Sequence, residues 1–291
     1  MNNKIAILIS GQLRTFLHPQ GPWNILTNLT NLPADVFFVT ETDDFYYNGT
    51  QYFYKTDENV IKTYNWDVGR FGNNIDFIDF DSANDIITNK IQELFGKSLK
   101  LLKINKPLDY SSYPVFHKLK QNMGKGGVPE FLLSQHHKLN QGLIEIKKHE
   151  KQNEFQYDYI VRCRCDSMFY SKIDFNNYDF NNYDLFVPGR EQNIVYDWFA
   201  IGNRWAMELY LSIFNNLGHT LSQEAYHSCG QNITLSSEHH IYRCVTDNQI
   251  RTTIAPTHHT IYRYDANQKP VKNEKYKIIS FTVDNTPREI C

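Results

Sequence analysis

Ile5 to Ile9 is an unbroken apolar run, and Val36 to Val39 is a second one. Continuous apolar runs of this length, without polar alternation, mark strands of a parallel sheet covered on both faces. Between them, "PQGPWNILTNLTNLP" opens near Pro22 and sets Trp23, Leu26 and Leu29 on one side, which predicts a helix. Strand, helix and strand at this separation predict a βαβ unit. The pattern then weakens. A short helix is expected over 57–64 and a strand in "NNIDFIDFD". "SANDIITNKIQELFG" has a serine cap, apolar residues at helical spacing and a closing Gly96, so it predicts a helix. Residues 105–129, rich in Pro, Gly and Lys, predict a long loop. Residues 129–152 predict a helix leading into the strand of "YDYIV". A short strand near "LFVPG" follows, and "DWFAIGNRWAMELYLSIFNNLG" reads as a strand end running into a helix closed by Gly218. A serine-capped helix in "SSEHHIYRCVTDNQI" and late strands in "RTTIAP" and at 260–264 complete the pattern. The order predicts one α/β domain with a mostly parallel central sheet flanked by helices. No linker separates two domains, and the tail, 271–291, is weakly patterned.

Composition narrows the function classes. The 291 residues are 41% hydrophobic and 21% charged, as in a globular chain with a sizeable core. A net charge of -2 argues against a nucleic-acid partner. No stretch approaches the roughly 20 apolar residues of a membrane span. The run from Ile5 falls short of the about 7 residues of a signal-peptide core. The expectation is therefore a cytoplasmic protein made without export. Five scattered cysteines show neither disulfide nor zinc spacing, and "NLT", "NGT" and "NIT" are then chance matches. "MGKGGVP" lacks the order of a phosphate-binding loop, and no GxSxG element occurs. The many Asn, Lys, Ile and Tyr suit a low-GC genome.

Candidate chemistry gathers at strand ends. In "YDYIVRCRCDSMFY", Arg162, Arg164 and Asp166 occupy alternate positions, so an extended strand presents them on one face and Cys163 and Cys165 on the other. The carboxyl end of a parallel strand is where α/β folds bind ligands. An Asp there suits Mg²⁺ or Mn²⁺, ions that bridge phosphate oxygens. The arginines would clamp phosphates or hold the carboxylate, and a structural ion pair is the competing explanation. Ser10, Gly11, Gln12 and Arg14 follow the first strand at the same sheet edge. Gly11 lets backbone approach a ligand and Arg14 reaches a phosphate; a solvated βα turn is the alternative. Gln135 and Lys138 share a helix face near this edge, or a solvated one.

"SGQLRTF", "SQHHKLNQGLIEIKKHE", "YDYIVRCRCD" and "DWFAIG", in this order, resemble small GT-A glycosyltransferases of giant viruses and bacterial surface-polysaccharide loci. The resemblance covers roughly residues 4–245. It implies a nucleotide-sugar-binding half over about 1–166 and an acceptor-side half over about 167–270. It also implies a sugar nucleotide, with UDP as the expected carrier, as donor and a glycan or other hydroxyl compound as acceptor. The metal-binding Asp-X-Asp element of such enzymes corresponds here to Arg164-Cys165-Asp166, without the first Asp. Asp166 is then the metal ligand, with His258 or His259 completing the shell. Transfer needs cations for the leaving diphosphate and, for inversion, a base on the acceptor. Asp197 and Glu238 are the candidate bases; helix capping is the competing role for Glu238. Two alternatives stay open. One is a nucleotide-sugar-binding module without turnover. The other is a nucleotidyltransferase, which would want a second carboxylate near Asp166 and a basic Gly-rich loop, where Lys125 is the available cation.

Overall fold

The computed structural model describes residues 3–14, 16–17, 29–54, 75–106, 108–122, 129–169, 172–191, 194–220, 236–257, 259–264, 270–272, 279–281 and 287–289. The first apolar run becomes β1 (Ile5–Arg14) and the second β2 (Ala34–Tyr47), paired in parallel with Ile5 opposite Ala34. Two strands extend the sheet beyond β2: β3 (Thr50–Tyr54) antiparallel to it, and β4 (Ile75–Ile78) parallel to β3. A further strand, β5 (Leu99–Asn105), runs parallel to β2. On the other side of β1 lies β6 (Tyr159–Cys163), parallel, with Ile9 opposite Cys163. The short β7 (Ser167–Phe169) turns away to pair with β13 (His259–Tyr264). Past β6 come β11 (Phe199–Asn203), antiparallel, then β8 (Leu185–Val187) and β12 (Thr252–Ile254). These nine strands form one sheet with strands from both expected halves. Peripheral pairs are β9 (Arg190–Glu191) with β10 (Ile194–Val195), β14 (Pro270–Lys272) with β13, and β15 (Ile279–Phe281) with β16 (Pro287–Glu289).

Alternation within β1 and β2 splits the core in two. Ile5, Ile7, Ile9, Val36 and Phe38 meet α1 (Phe80–Phe95) through Ala83, Ile87 and Ile91. Ala6, Leu8, Phe37 and Val39 face the opposite layer. That layer holds α2 (Pro114–Asn122), α3 (Pro129–Gln152), α4 (Arg204–Leu211), α5 (Ile213–Thr220) and α6 (Ser237–Asp247). The mostly parallel sheet between helical layers matches the expected fold class. Gly142 sets how closely α3 rests on β1, since an added Cβ would meet Leu8 Cδ1 at 2.4 Å. Among the described residues, no helix is long and apolar enough to cross a membrane.

Several local expectations are corrected. Residues 10–14 continue β1, because the polar stretch still pairs with β2: Gln12 lies opposite Glu41 and Arg14 opposite Phe45. Helix α1 is capped by Asp79, whose carboxylate accepts from Ser82 N at 2.9 Å and Ser82 Oγ at 2.8 Å. Gly96 does close it, at φ +50°. The strand β5 has no counterpart in the sequence reading. The supposed loop 105–129 contains α2, whose Phe116 and Leu119 bury one helical face. Gly218 lies within α5; the break falls at Ser212, which caps α4. The helix near Pro22, the helix at 57–64, Lys125 and His258 lie outside the described residues.

Candidate functional site

The chain lays down β1, β2 and β5 to one side, then returns to place β6 on the other side of β1. Strand order reverses there, and an open α/β sheet leaves a crevice at the carboxyl ends of such strands. A cavity of about 210 Å³ occupies this place. Ser10, Gly11, Gln12 and Arg14 from β1, Arg162 and Arg164 from the end of β6, and Phe131, Ser134, Gln135 and Lys138 from α3 line it. All eight residues expected to contact a nucleotide therefore share one cavity. Phe131 and Ser134 were not anticipated.

At β6 the alternation ends early. The strand stops at Cys163 and the chain turns through Cys165 and Asp166. Cys163 and Cys165 are buried in the core. The turn lets Arg164 fold back on Asp166: Nε donates to Oδ1 at 2.8 Å and Nη2 to Oδ2 at 2.8 Å. Arg14 Nη1 stands 3.7 Å from the same Oδ2, and Asp166 is 2% exposed. Arg164 Nη1 also lies 3.8 Å from Asp197 Oδ1. Burial opposes charge on Arg164, but Asp166 and Asp197 outweigh it and raise the guanidinium's pKa further. Both oxygens of Asp166 thus face guanidinium hydrogens. Among the described residues the donor set does not fit a resident divalent cation, and no three His, Cys, Asp or Glu side chains converge on a metal position.

Arg162 differs from Arg164. It projects toward the helical layer, is 1% exposed, and its Nε and Nη1 have no hydrogen-bond partner. Nearby, His136 of α3 and His240 of α6 touch ring nitrogen to ring nitrogen at 3.3 Å. Burial, and then the Arg162 charge, push His136 down to about 3. Burial and the neighbouring histidines take His240 well below the usual range. Both rings are neutral near pH 7.

Lys138 lines the cavity but is already paired: its Nζ is 2.9 Å from Glu41 Oε2, and Ser134 Oγ donates to the same oxygen at 2.8 Å. Tyr110 completes this buried group, donating to Glu41 Oε1 at 3.3 Å. Glu41 was missed, although it follows the apolar run of β2 just as Gln12 follows that of β1. Gly11 has φ +146°, a backbone state that favours glycine, and its carbonyl accepts from Thr40 Oγ1 at 2.8 Å. A Cβ added there would sit 3.7 Å from Cys165 N, in ordinary contact. The glycine serves the backbone bend; a side chain there points at Cys165.

From the cavity wall, Gln135 reaches one candidate base and the residue before the other. Its Nε2 donates to Asp197 Oδ2 at 2.6 Å and to Ser237 Oγ at 2.9 Å, beside Glu238. The capping box at this helix start is made by Ser236 and His239, while Glu238, in the first turn, also hydrogen-bonds the Ser236 side chain, so its capping role stands beside that of a base. Burial, and then the Asp197 charge, raise the Glu238 pKa.

A family model described as a domain of unknown function, DUF7796, matches residues 116–253. The span includes Gln135, Lys138, Arg162, Arg164, Asp166, Asp197 and Glu238 and leaves out Ser10–Arg14. No curated protein matches the chain.

Proposed function

We propose that the protein is a glycosyltransferase that takes a sugar from a nucleotide-sugar donor, with UDP as the first carrier to test, and passes it to a hydroxyl acceptor. The observation that carries this is Arg162: a buried guanidinium with unpartnered nitrogens, next to Arg14 and Arg164, in the crevice where α/β sheets take phosphate-bearing ligands. At about 210 Å³ the cavity is smaller than the about 300–1,000 Å³ that encloses a drug-sized ligand, so its size suits the diphosphate.

In the transfer, the bond from the anomeric carbon to the diphosphate oxygen breaks, and the diphosphate leaves with the electron pair. A new bond forms from that carbon to the acceptor oxygen. The hydroxyl proton goes to a carboxylate, and the product has inverted configuration. The arginines stabilise the developing charge on the diphosphate. Asp197 and Glu238 are the two bases available. A carboxyl whose pKa is raised is a stronger base than an ordinary one, which favours Glu238, while Asp197 is tied to Gln135.

Screening sugar nucleotides by thermal shift tests binding, because a ligand at a hundredfold excess over its Kd stabilises by about 2.7 kcal/mol. Transfer to glycan acceptors is then measured for the wild type, Asp197→Asn and Glu238→Gln. The base variant should lose about 10²–10⁴-fold in rate with donor affinity kept. Binding without transfer to any acceptor would favour a non-catalytic module, and no nucleotide binding at all would end the proposal.

A further inference from the structure

The GT-A resemblance would put a divalent cation between Asp166 and the diphosphate, and the side chains here are arranged against that. Arg164 lies between two carboxylates, 2.8 Å from each oxygen of Asp166 and 3.8 Å from Asp197 Oδ1. It takes both oxygens of Asp166, which a cation bound by that carboxylate would need. We infer that Arg164 stands in for the metal: its guanidinium, held by Asp166, binds the diphosphate together with Arg162 and Arg14, and the protein takes its donor without a divalent cation.

Three features support this. Asp166 offers both oxygens to a planar fork, the geometry that guanidinium and carboxylate match best. Arg14 Nη1 is buried without a hydrogen-bond partner and lies 3.7 Å from Asp166, so Asp166 orients two cations at the cavity wall. Arg162 brings a third cation, with unpartnered buried nitrogens and no ion pair among the described residues. A buried cation without a partner is costly, and an incoming polyanion removes that cost. Asp166 is a positioning residue under this arrangement.

The inference rests on the nucleotide-sugar reading, and one experiment separates the two. UDP binding to the whole protein is measured by titration calorimetry in excess EDTA and again with Mn²⁺, for the wild type, Arg164→Ala and Asp166→Asn. Mn²⁺ binding to the protein alone is followed by electron paramagnetic resonance. The wild type should bind UDP equally in both buffers and should not bind Mn²⁺ on its own. Arg164→Ala should lose roughly ten- to a hundredfold in affinity in EDTA. It should recover part of this with Mn²⁺, because Asp166 is then open to a cation. Asp166→Asn should weaken UDP in both buffers alike. Wild-type binding that EDTA abolishes would overturn the inference and leave the nucleotide reading standing. Failure of UDP, sugar nucleotides and pyrophosphate to bind in either buffer would overturn both. The wild-type comparison decides the matter even if a variant does not fold.

Discussion

Two arginines are buried near opposite ends of β6, and their surroundings differ. Near the amino end, Arg204 opens α4, and its backbone N–H donates to Asp158 O at 3.1 Å. Its Nε and Nη2 meet the two oxygens of Glu150 at 2.8 and 2.9 Å, and Nη1 meets Glu208 at 2.9 Å. The same edge holds Arg251, which forks onto Asp184 at 2.8 and 2.7 Å. Near the carboxyl end, Arg162 is more deeply buried, with two nitrogens unpartnered. Both side chains carry a charge out of water, which is tolerated only where partners replace the lost hydration. At Arg204 the fold supplies those partners. At Arg162 it does not, and the missing partner is assigned to a ligand. Between these two arginines, what separates a structural role from a ligand-binding one is whether the guanidinium is closed off by the protein or left open at the cavity wall, where Arg162 and Arg164 both stand.

The largest effect should come from breaking the closed site. Arg204→Ala leaves Glu150 buried without its cation and should cost about 3–5 kcal/mol. The check is the urea midpoint, with UDP binding measured on whatever folded fraction remains. A variant as stable as the wild type would remove the structural half of the comparison.

Arg162→Met is the matching change at the other end. Methionine fills the space and removes a desolvated charge, so stability should hold or rise. UDP affinity should fall by about 1.5–3 kcal/mol, the usual worth of hydrogen bonds to a charged group. His136 should also become easier to protonate, since the Arg162 charge is the second cause of its low pKa. Histidine titration by NMR reads that. Loss of stability with unchanged UDP binding would reverse the assignment of Arg162.

Much of this contrast was legible in the chain. The apolar runs at 5–9 and 36–39 placed β1 and β2, and the rule that α/β folds bind ligands beyond strand carboxyl ends placed Ser10–Arg14 and Arg162–Arg164 together. Pairings between distant segments were not legible. Alternation implied that Arg164 and Asp166 point side by side from a strand, whereas the chain turns after Cys163 and makes them a closed pair. Lys138 looked free on its helix face, because its partner Glu41 is 97 positions away. Gln135 joins Asp197 and Ser237 only once α3 and α6 lie together. The loop expected over 105–129 hid α2, because Pro and Gly at its ends outweighed a short helical pattern.

Two carboxyl groups extend the comparison from cations to anions, with a smaller effect. Glu208, at the amino edge, is lowered: burial works upward, but Lys147 and Arg204 more than offset it. Glu238, at the carboxyl edge, is raised by burial and then by Asp197. Their contributions to stability should therefore change with pH in opposite directions. A group with a lowered folded pKa stabilises above its unfolded pKa and loses that contribution as pH falls. So the stability that Glu208 provides should be present above the ordinary glutamate value of 4.5 and drain away below it. A group with a raised folded pKa favours the folded state while protonated, and that contribution is lost as pH rises through the raised value. Glu238 should act in this second way, over the window that starts at 4.5 and extends upward. The buried histidines complicate the raw curve, because His136, pushed down to about 3, adds stability as pH rises toward its unfolded value of 6.5. Differences between variants cancel that shared term. Urea unfolding across this range for the wild type, Glu208→Gln and Glu238→Gln should give two difference curves of opposite slope. Asp197→Asn should flatten the Glu238 curve by removing the second of its causes. Parallel difference curves would mean that the two edges do not divide structure from function in the way their arginines suggest.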